Sequence, residues 1–196
     1  TRLDGSTFDV PAASVGEFIS EAENPGNVKG VAAVDIVTPA LTDLPGLRLV
    51  DTPGLGSVHA HNTQATMDWL PGVALAIVAI SVERPLSEED RRLIRTLRPL
   101  AARVVIVLTK TDLVSAADLD EVREFVAREV RETLEMPEAS GPVIVPFSVR
   151  TDRAAHVRNL RENILAPIAH DAESEKSAAL KHKLTHLART AREFLV

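Results

Sequence analysis

Five short runs of branched apolar residues recur along the chain, and helix signals separate the later runs. The runs are Val31–Val37, Leu47–Val50, Val73–Val82, Val104–Leu108 and Val143–Phe147. Apolar segments of this length are typical of strands that are buried on both faces of a parallel sheet. Between them, Ser87 with Asp90 and Ser115 with Asp118 have the spacing of capping boxes, which open helices. Strands that alternate with helices predict an α/β fold, a three-layer sandwich around a mainly parallel sheet.

Polar residues follow three of these runs directly. Asp51 begins the sequence Asp-Thr-Pro-Gly-Leu-Gly-Ser after the second run, Thr109-Lys110-Thr111-Asp112 follows the fourth, and Ser148-Val149-Arg150 follows the fifth. Open α/β sheets bind their ligands at the carboxyl ends of the strands. We therefore predict that these three segments form one binding site.

Each segment has chemistry that suits a guanine nucleotide with a metal ion. Asp51 is predicted to hold Mg²⁺ through water while the ion bridges phosphate oxygens. Gly54 has no Cβ, so its backbone N–H can come close to a terminal phosphate. Asp112 can accept both the N1–H and the 2-amino group of guanine, a donor pair that adenine lacks. The stem of Lys110 can lie over the base, a backbone N–H of the last segment can meet the 6-oxo group, and the plane of Arg150 can stack on the base.

Simpler interpretations exist for each segment taken alone. Pro-Gly is turn chemistry in any protein, so Asp-Thr-Pro-Gly by itself could be a turn. The segment after Val104–Leu108 could be a solvated loop, and Ser-Val-Arg is nonspecific by itself. The order and spacing of the three segments favour a binding site over these alternatives.

Together the segments resemble the GTPase domain of the dynamin superfamily, in its bacterial dynamin-like branch. The resemblance covers about residues 1–168 and rests on Asp-Thr-Pro-Gly-Leu-Gly-Ser, Thr-Lys-Thr-Asp and Ser-Val-Arg. A threonine stands at position 109 where other GTPase classes commonly carry Asn, as is frequent in dynamin-like proteins. The resemblance implies GTP and GDP as ligands, with Mg²⁺ as cofactor in the intact protein. The implied nucleotide-binding residues are Asp51, Gly54, Thr109, Lys110, Asp112, Ser148, Val149 and Arg150.

The phosphate loop of such a domain is not found among these residues. Its pattern, G-x-x-x-x-G-K-[ST], needs a lysine followed by Ser or Thr, and only Lys110-Thr111 and Lys176-Ser177 qualify. They follow Thr109 and Glu175 rather than glycine. Because the chain starts at Thr1 without a methionine, we expect a truncation before Thr1 that removed the phosphate loop. We accordingly expect this fragment to retain no catalytic residue and to hold neither nucleotide nor Mg²⁺.

Charge and the C-terminal pattern set the remaining expectations. A net charge of −6 disfavours binding to nucleic acid, and with it a ribosome- or tRNA-associated GTPase. An apolar stripe at helical spacing predicts an amphipathic helix over 171–196, the start of a helical neck or stalk after an incomplete GTPase domain of residues 1–170. A homodimer through the GTPase domain or this helix is a further expectation. The stripe consists of Leu180, Leu184, Leu187, Ala191 and Phe194 or Leu195.

Two functional hypotheses of different classes follow. The first is a fragment of a dynamin-like enzyme that, in the intact protein, binds and hydrolyses GTP to remodel or tether membranes. The resemblance then implies a cytoplasmic protein, peripheral to the inner face of the cell membrane through parts outside these residues. The second is a pseudo-GTPase or interaction module that hydrolyses nothing. A phosphate loop upstream of Thr1 in the parent reading frame would favour the first.

Overall fold

The structure is a computed structural model whose described residues are 1–51, 73–137 and 141–194, with only the backbone described at 193 and 194. The chain divides into two compact units, Thr1–Asp43 and Leu44–Val196. The predicted domain boundary after residue 170 lies within the second unit, at the start of its last helix, and stays a prediction.

The first unit consists mainly of turns and short helical segments. Its helix α1 spans Gly16–Ile19, and 3₁₀ turns lie at Ala12–Ser14, Pro25–Asn27 and Pro39–Leu41. Asn24 organises the loop after α1 with a buried side chain. Its amide group donates to the carbonyl oxygen of Phe18 at 2.8 Å, and its side-chain oxygen accepts the amide of Lys29 at 2.9 Å. The break in the chain at this point is therefore held by side-chain hydrogen bonds.

The second unit is an α/β body followed by helices. Its strands are β1 (Leu75–Ser81), β2 (Arg103–Thr109) and β3 (Val143–Pro146). Its helices are α2 (Glu88–Leu97), α3 (Ala116–Thr133), α4 (Arg153–Leu160), α5 (Ala166–His170) and α6 (Ala172–Phe194), with a π-helical turn at Arg161–Leu165. Both predicted capping boxes are present. The hydroxyls of Ser87 and Ser115 accept the amides of Asp90 and Asp118, each at 3.2 Å, and so open α2 and α3.

The three strands form a parallel sheet in the order β1-β2-β3. In the central strand, Leu108 lies opposite Ile80 of β1 and Pro146 of β3. Ile94 of α2 and Val126 of α3 are fully buried in the same apolar cluster as Ile80 and Leu108. The predicted α/β fold with a parallel sheet is thus confirmed, and so is the predicted C-terminal helix.

The other face of the sheet is buried only in part. Val105 and Val107 of β2 are 3% and 6% exposed, whereas Ile77, which lies beside Val105 on β1, is 40% exposed. Buried residues of the C-terminal segments add to the apolar interior of this unit. They are Ile164, Leu165, Ile168, Ala169 and Ala179.

Two predicted strands are wrong. Val31–Val37 and Leu47–Val50 are not strands, and Val37 and Leu49 are 99% and 54% exposed. Branched side chains favour extended backbone, but a strand also requires a neighbour that pairs with its N–H and C=O groups. In the described residues, Val31 makes one isolated bridge with Arg2, and Leu47–Val50 is not part of the sheet. The branched apolar residues of these two segments are typical of strands, but the local sequence did not show whether a neighbouring strand would pair with them.

Helix α6 contacts the α/β body through polar groups. Three interactions attach it along about two turns of its length. They are an ion pair between Glu175 and Arg103 at 2.7 Å, a contact of 2.7 Å between His182 Nε2 and the carbonyl oxygen of Arg98, and a hydrogen bond of 3.1 Å from Lys183 Nζ to the carbonyl oxygen of Val73. The helix is therefore held to the body at the end of the sheet where β1 and β2 begin.

The apolar stripe of α6 faces away from these contacts. Leu180, Leu184 and Leu187 are 60%, 56% and 67% exposed, and Ala191 is exposed as well. Phe194 and Leu195 lie beyond the described side chains. Within the described parts of the chain, no helix combines the length and the apolar character that crossing a membrane requires.

Candidate functional site

The three parallel strands end at the same edge of the sheet, and backbone hydrogen bonds tie together the segments that follow them. The amide of Val82 donates to the carbonyl oxygen of Thr109 at 3.1 Å, and the amide of Phe147 donates to that of Leu108 at 2.7 Å. The carbonyl oxygen of Phe147 in turn accepts the amide of Thr111 at 3.4 Å. The polar segments after β2 and β3 therefore lie side by side.

Ser148 joins these two segments through a buried hydroxyl group. The residue is 1% exposed, and its Oγ donates to Oδ1 of Asp112 at 2.5 Å. The same oxygen accepts the amides of Arg150 at 3.0 Å and Thr151 at 3.1 Å. A hydroxyl has one donor and two acceptor lone pairs, so all of its hydrogen-bonding capacity is used. Ser148 therefore holds Asp112 and the turn after β3 in a fixed relation.

The carboxyl group of Asp112 is kept in its ionised form. The hydroxyl of Ser148 lowers the pKa of Asp112 below its ordinary value of 3.8, the charge of Arg150 adds a smaller lowering, and partial burial opposes both. Because the pKa is depressed in the folded chain, this interaction stabilises the fold above the ordinary pKa and is lost as the pH falls through the depressed value. A carboxylate has about four lone-pair sites, so Asp112 can accept further hydrogen bonds while Ser148 is bound to it.

Lys110 is placed by its backbone and by an acidic partner. It adopts the left-handed conformation, with φ of 59°, at the turn between β2 and the 3₁₀ segment Thr111–Leu113. Its ammonium group forms an ion pair with Glu83, which lies two residues after β1. The hydrogen bond and charge of Lys110 lower the pKa of the Glu83 carboxyl group below its ordinary value of 4.5.

Glu83 is not among the site residues predicted from the sequence. A signal was available, because Glu83 follows the end of β1 as Asp112 follows the end of β2, and parallel strands end at one edge. The sequence could not show that Lys110 is the cation that pairs with the Glu83 carboxylate. That pairing joins residues 27 positions apart.

Thr109, Val149 and Arg150 occupy different environments at this edge. The hydroxyl of Thr109 donates to the carbonyl oxygen of Ile80 at 3.3 Å, so it fastens β2 to β1. Val149 is 69% exposed and Arg150 is also exposed, directly after the buried Ser148. A ligand at this edge can therefore reach both residues, while the hydroxyl of Thr109 is already bonded.

Asp51 is not joined to this cluster by a hydrogen bond. It is exposed after Leu47–Val50, and no hydrogen bond links it to Asp112 or Ser148 in the described part of the chain. Gly54 lies outside the described residues. No group of three or more His, Cys, Asp and Glu side chains is placed to hold a metal ion among the residues that the structure describes. A single carboxylate such as Asp51 still suits Mg²⁺, which often keeps its water ligands and takes few protein groups.

The arrangement can recognise a flat, polar ligand. An ionised carboxylate can accept a pair of N–H groups, and the guanidinium of Arg150 beside it can stack on a ring or bind an oxygen. The ion pair of Lys110 with Glu83 places the lysine side chain at the same edge.

The sequence profile described as the Dynamin family matches residues 5–111, more than half of the chain. The match includes Asp51 and ends one residue before Asp112. A solved structure, described as an oligomerised bacterial dynamin pair that provides a mechanism for the long-range sensing and tethering of membranes, is also similar. It has a TM-score of 0.44 and 20% identity, and the similarity covers 74% of this chain and 29% of that one.

Several curated proteins are similar over part of their length. An uncharacterized protein in the xynA 3' region of Caldicellulosiruptor sp. (strain Rt8B.4) is 26% identical over 65% of this chain and 32% of its own length. A probable transmembrane GTPase, FZO-like and chloroplastic, from Arabidopsis thaliana is 27% identical over 58% of this chain and 12% of its own. The tRNA modification GTPase MnmE of Oceanobacillus iheyensis is 32% identical over 64% of this chain and 22% of its own. This chain thus spans about a third or less of each relative.

Replacing Ser148 by alanine is expected to raise the pKa of Asp112 toward 3.8, because the hydroxyl is the main cause of the depression. The amides of Arg150 and Thr151 would lose their acceptor, so their hydrogen exchange should accelerate. Carboxyl-detected NMR titration and amide exchange measure the two effects. Ser177→Ala, on the exposed side of α6, is the matched control. An unchanged pKa of Asp112 in the Ser148→Ala variant would contradict this account of the site.

Proposed function

This chain belongs to the dynamin family, and we propose that Asp112, Lys110 and Arg150 form the base-recognition side of a guanine-nucleotide site. The observation that carries the proposal is the hydrogen bond from the buried Ser148 to Asp112, which fixes an ionised carboxylate at the carboxyl edge of the sheet. The relatives that are named as GTPases support guanine as the base.

In this proposal each residue of the edge has a separate task. Asp112 accepts the N1–H and 2-amino group of the base, and the stem of Lys110 lies against the ring while Glu83 holds its ammonium group. A backbone N–H at Val149 or Arg150 meets the 6-oxo group, and the Arg150 plane stacks on the base. Thr109 contributes by its position at the end of β2, because its hydroxyl group is already bonded to the carbonyl oxygen of Ile80 on β1. Because guanine presents two N–H donors to Asp112 and adenine lacks this pair, the carboxylate would select guanine over adenine.

The phosphate side of the nucleotide is proposed to lie toward Asp51 and Gly54. Asp51 would hold Mg²⁺ through water, and the N–H of Gly54 would meet the terminal phosphate. The bound ion would neutralise charge on the phosphate oxygens. The residues of this chain include no G-x-x-x-x-G-K-[ST] pattern, so they supply no lysine for that purpose.

For the whole protein we propose GTP hydrolysis that serves membrane remodelling or tethering. The family match and the GTPase relatives support hydrolysis. Membrane tethering is what the description of the bacterial dynamin pair says of that structure, and we carry it over only as a proposal. A cytoplasmic location at the inner face of the cell membrane belongs to the same proposal, and fractionation of cells that contain the whole protein tests it.

The second candidate function is an interaction module without hydrolysis. It is favoured by the exposed leucines of α6, which present an apolar stripe to a partner. We propose a homodimer as the form this interaction takes, through α6 or through the GTPase domain. The two candidates differ in whether the protein turns over GTP.

The substitution Asp112→Asn is expected to change the base preference of the site from guanine to xanthine. Xanthine has an oxo acceptor where guanine has the 2-amino donor, and an amide NH₂ can meet that acceptor. Competition binding of guanosine diphosphate and xanthosine diphosphate to the whole protein tests this preference. The substitution should weaken guanosine binding by about tenfold or more, the loss expected for a charge-assisted pair of hydrogen bonds. Asp120→Asn, on the exposed surface of α3, should change nothing. An unchanged preference for the guanosine nucleotide in the Asp112→Asn variant would mean that Asp112 does not read the base.

Residues 1–196 by themselves are expected to show no steady turnover of GTP. Phosphate binding in this class depends on loop amides and a lysine that these residues do not include. A phosphate-release assay with GTP and Mg²⁺ measures this, with a phosphate-loop GTPase as positive control. Sustained turnover would show that the catalytic groups lie within these residues after all.

If α6 forms the dimer, replacing Leu180, Leu184 and Leu187 together by glutamine should convert a dimer into a monomer in light scattering. Each leucine is more than half exposed, so thermal stability of the monomer should change little. Leu113→Gln, at a leucine that is 50% exposed outside α6, is the control. A chain that is monomeric before substitution would refute the α6 dimer.

A further inference from the structure

A groove of about 560 Å³ lies between the end of α2 and the middle of α6. We refer to it as the α2–α6 groove. It is on the opposite end of the body from the base site, since α6 is attached near the starts of β1 and β2. Its described lining includes no carboxylate. Its polar walls are basic and consist of Arg95, Arg98, Lys181, His182, His186 and Arg189.

This concentration of positive charge contrasts with the rest of the chain. The net charge of the chain is −6, yet residues 176–192 of α6 contain five Lys or Arg and no Asp or Glu. Like charges that converge on one concave surface repel each other, and the concave shape strengthens their combined field. An anion bound between them would relieve this repulsion.

Two carboxylates outside the groove neutralise part of this charge. Arg98 forms an ion pair with Glu135 at 2.7 Å, and Arg95 forms one with Glu88 at 3.3 Å. Lys181 forms no ion pair with any described residue. Arg189 forms no ion pair with a described residue either, although its charge helps to lower the pKa of the Glu135 carboxyl group. The groove can therefore offer positive charge without an ion-pair partner to a ligand.

The spacing of the cations suggests the size of that ligand. Lys181 and Arg189 are eight residues apart on α6, which is about 12 Å along a helix axis. The α2 arginines form the facing wall, and the contact of 2.7 Å between His182 and the carbonyl oxygen of Arg98 fixes the two helices at the floor. A single monovalent ion would meet only one end of this array.

We propose that the α2–α6 groove binds a phosphate-bearing ligand with at least two anionic groups. Arginine has the fork geometry that matches phosphate oxygens, and lysine adds a mobile point charge. The ligand is either a soluble polyphosphate-type anion or the headgroup of an anionic lipid, which offer the same chemistry. The site is separate from the base site and does not depend on it.

Calorimetric titration of the full chain with tripolyphosphate tests the soluble source, and flotation with phosphatidylglycerol vesicles, against phosphatidylcholine vesicles, tests the lipid source. Lys181→Glu combined with Arg189→Glu should weaken binding by about tenfold or more, since both residues are exposed groove cations. The matched control is Lys176→Glu combined with Arg192→Glu. It makes the same charge change at exposed positions of the same helix outside the groove and should change binding by about threefold or less.

Binding to tripolyphosphate but not to the vesicles assigns the soluble ligand. Binding to the phosphatidylglycerol vesicles but not to tripolyphosphate assigns the lipid headgroup. Either result supports the site if the groove variant weakens the binding and the control variant does not. Equal loss in the groove variant and the control would mean general attraction by net charge and would overturn the proposal. No binding to either probe would overturn it as well. Unchanged thermal melting of the groove variant shows that the fold is intact.

Discussion

The central position of β2 determines where everything else in the α/β body can lie. Its backbone N–H and C=O groups are buried, so they need partners on both sides, and β1 and β3 supply them in parallel register. Because the three strands run in the same direction, their carboxyl ends reach one edge. Ile106 and Leu108 are fully buried on the face that packs against α2 and α3. A shift of one residue in register would turn those side chains to the other face, so the core specifies the register and the register specifies the site.

At that edge, the buried hydroxyl group of Ser148 holds the segments after β2 and β3 in a defined geometry. Ser148 binds Asp112 and two amides of its own turn, so the carboxylate cannot rotate away without leaving a buried polar group unpaired. The family match ends at residue 111, just before this carboxylate. Similarity in sequence therefore identifies the family, while the contact between Asp112 and Ser148 is the observation that supports the proposed base-recognition site.

The attachment of α6 has a different physical character. The body is held by apolar burial, whereas α6 adds the buried Ala179 to an ion pair and two contacts to carbonyl oxygens. Hydrogen bonds of this kind contribute about 0.5–1.5 kcal/mol each. The same arrangement exposes its leucines on one side and forms the α2–α6 groove on another. One helix therefore offers two surfaces of opposite character, one apolar and one basic.

The sequence by itself determined the features that depend on neighbouring residues in the chain. The apolar runs at β1, β2 and β3 and the Ser-x-x-Asp spacings at Ser87 and Ser115 predict their elements, because strand burial and capping are read from a few adjacent positions. The order of the polar segments predicts a nucleotide-binding edge, which stays a prediction.

Tertiary structure decided whatever depends on a distant partner. Leu47–Val50 has strand-like side chains but no place in the described sheet, and Glu83 became part of the site only because Lys110 reaches it. The leucine stripe of α6 predicts an amphipathic helix, but only the structure shows that the body contacts Glu175, His182 and Lys183 of this helix. The α2–α6 groove joins residues 84 positions apart. Pairing across such separations is settled by packing and charge in three dimensions, which local sequence patterns do not encode.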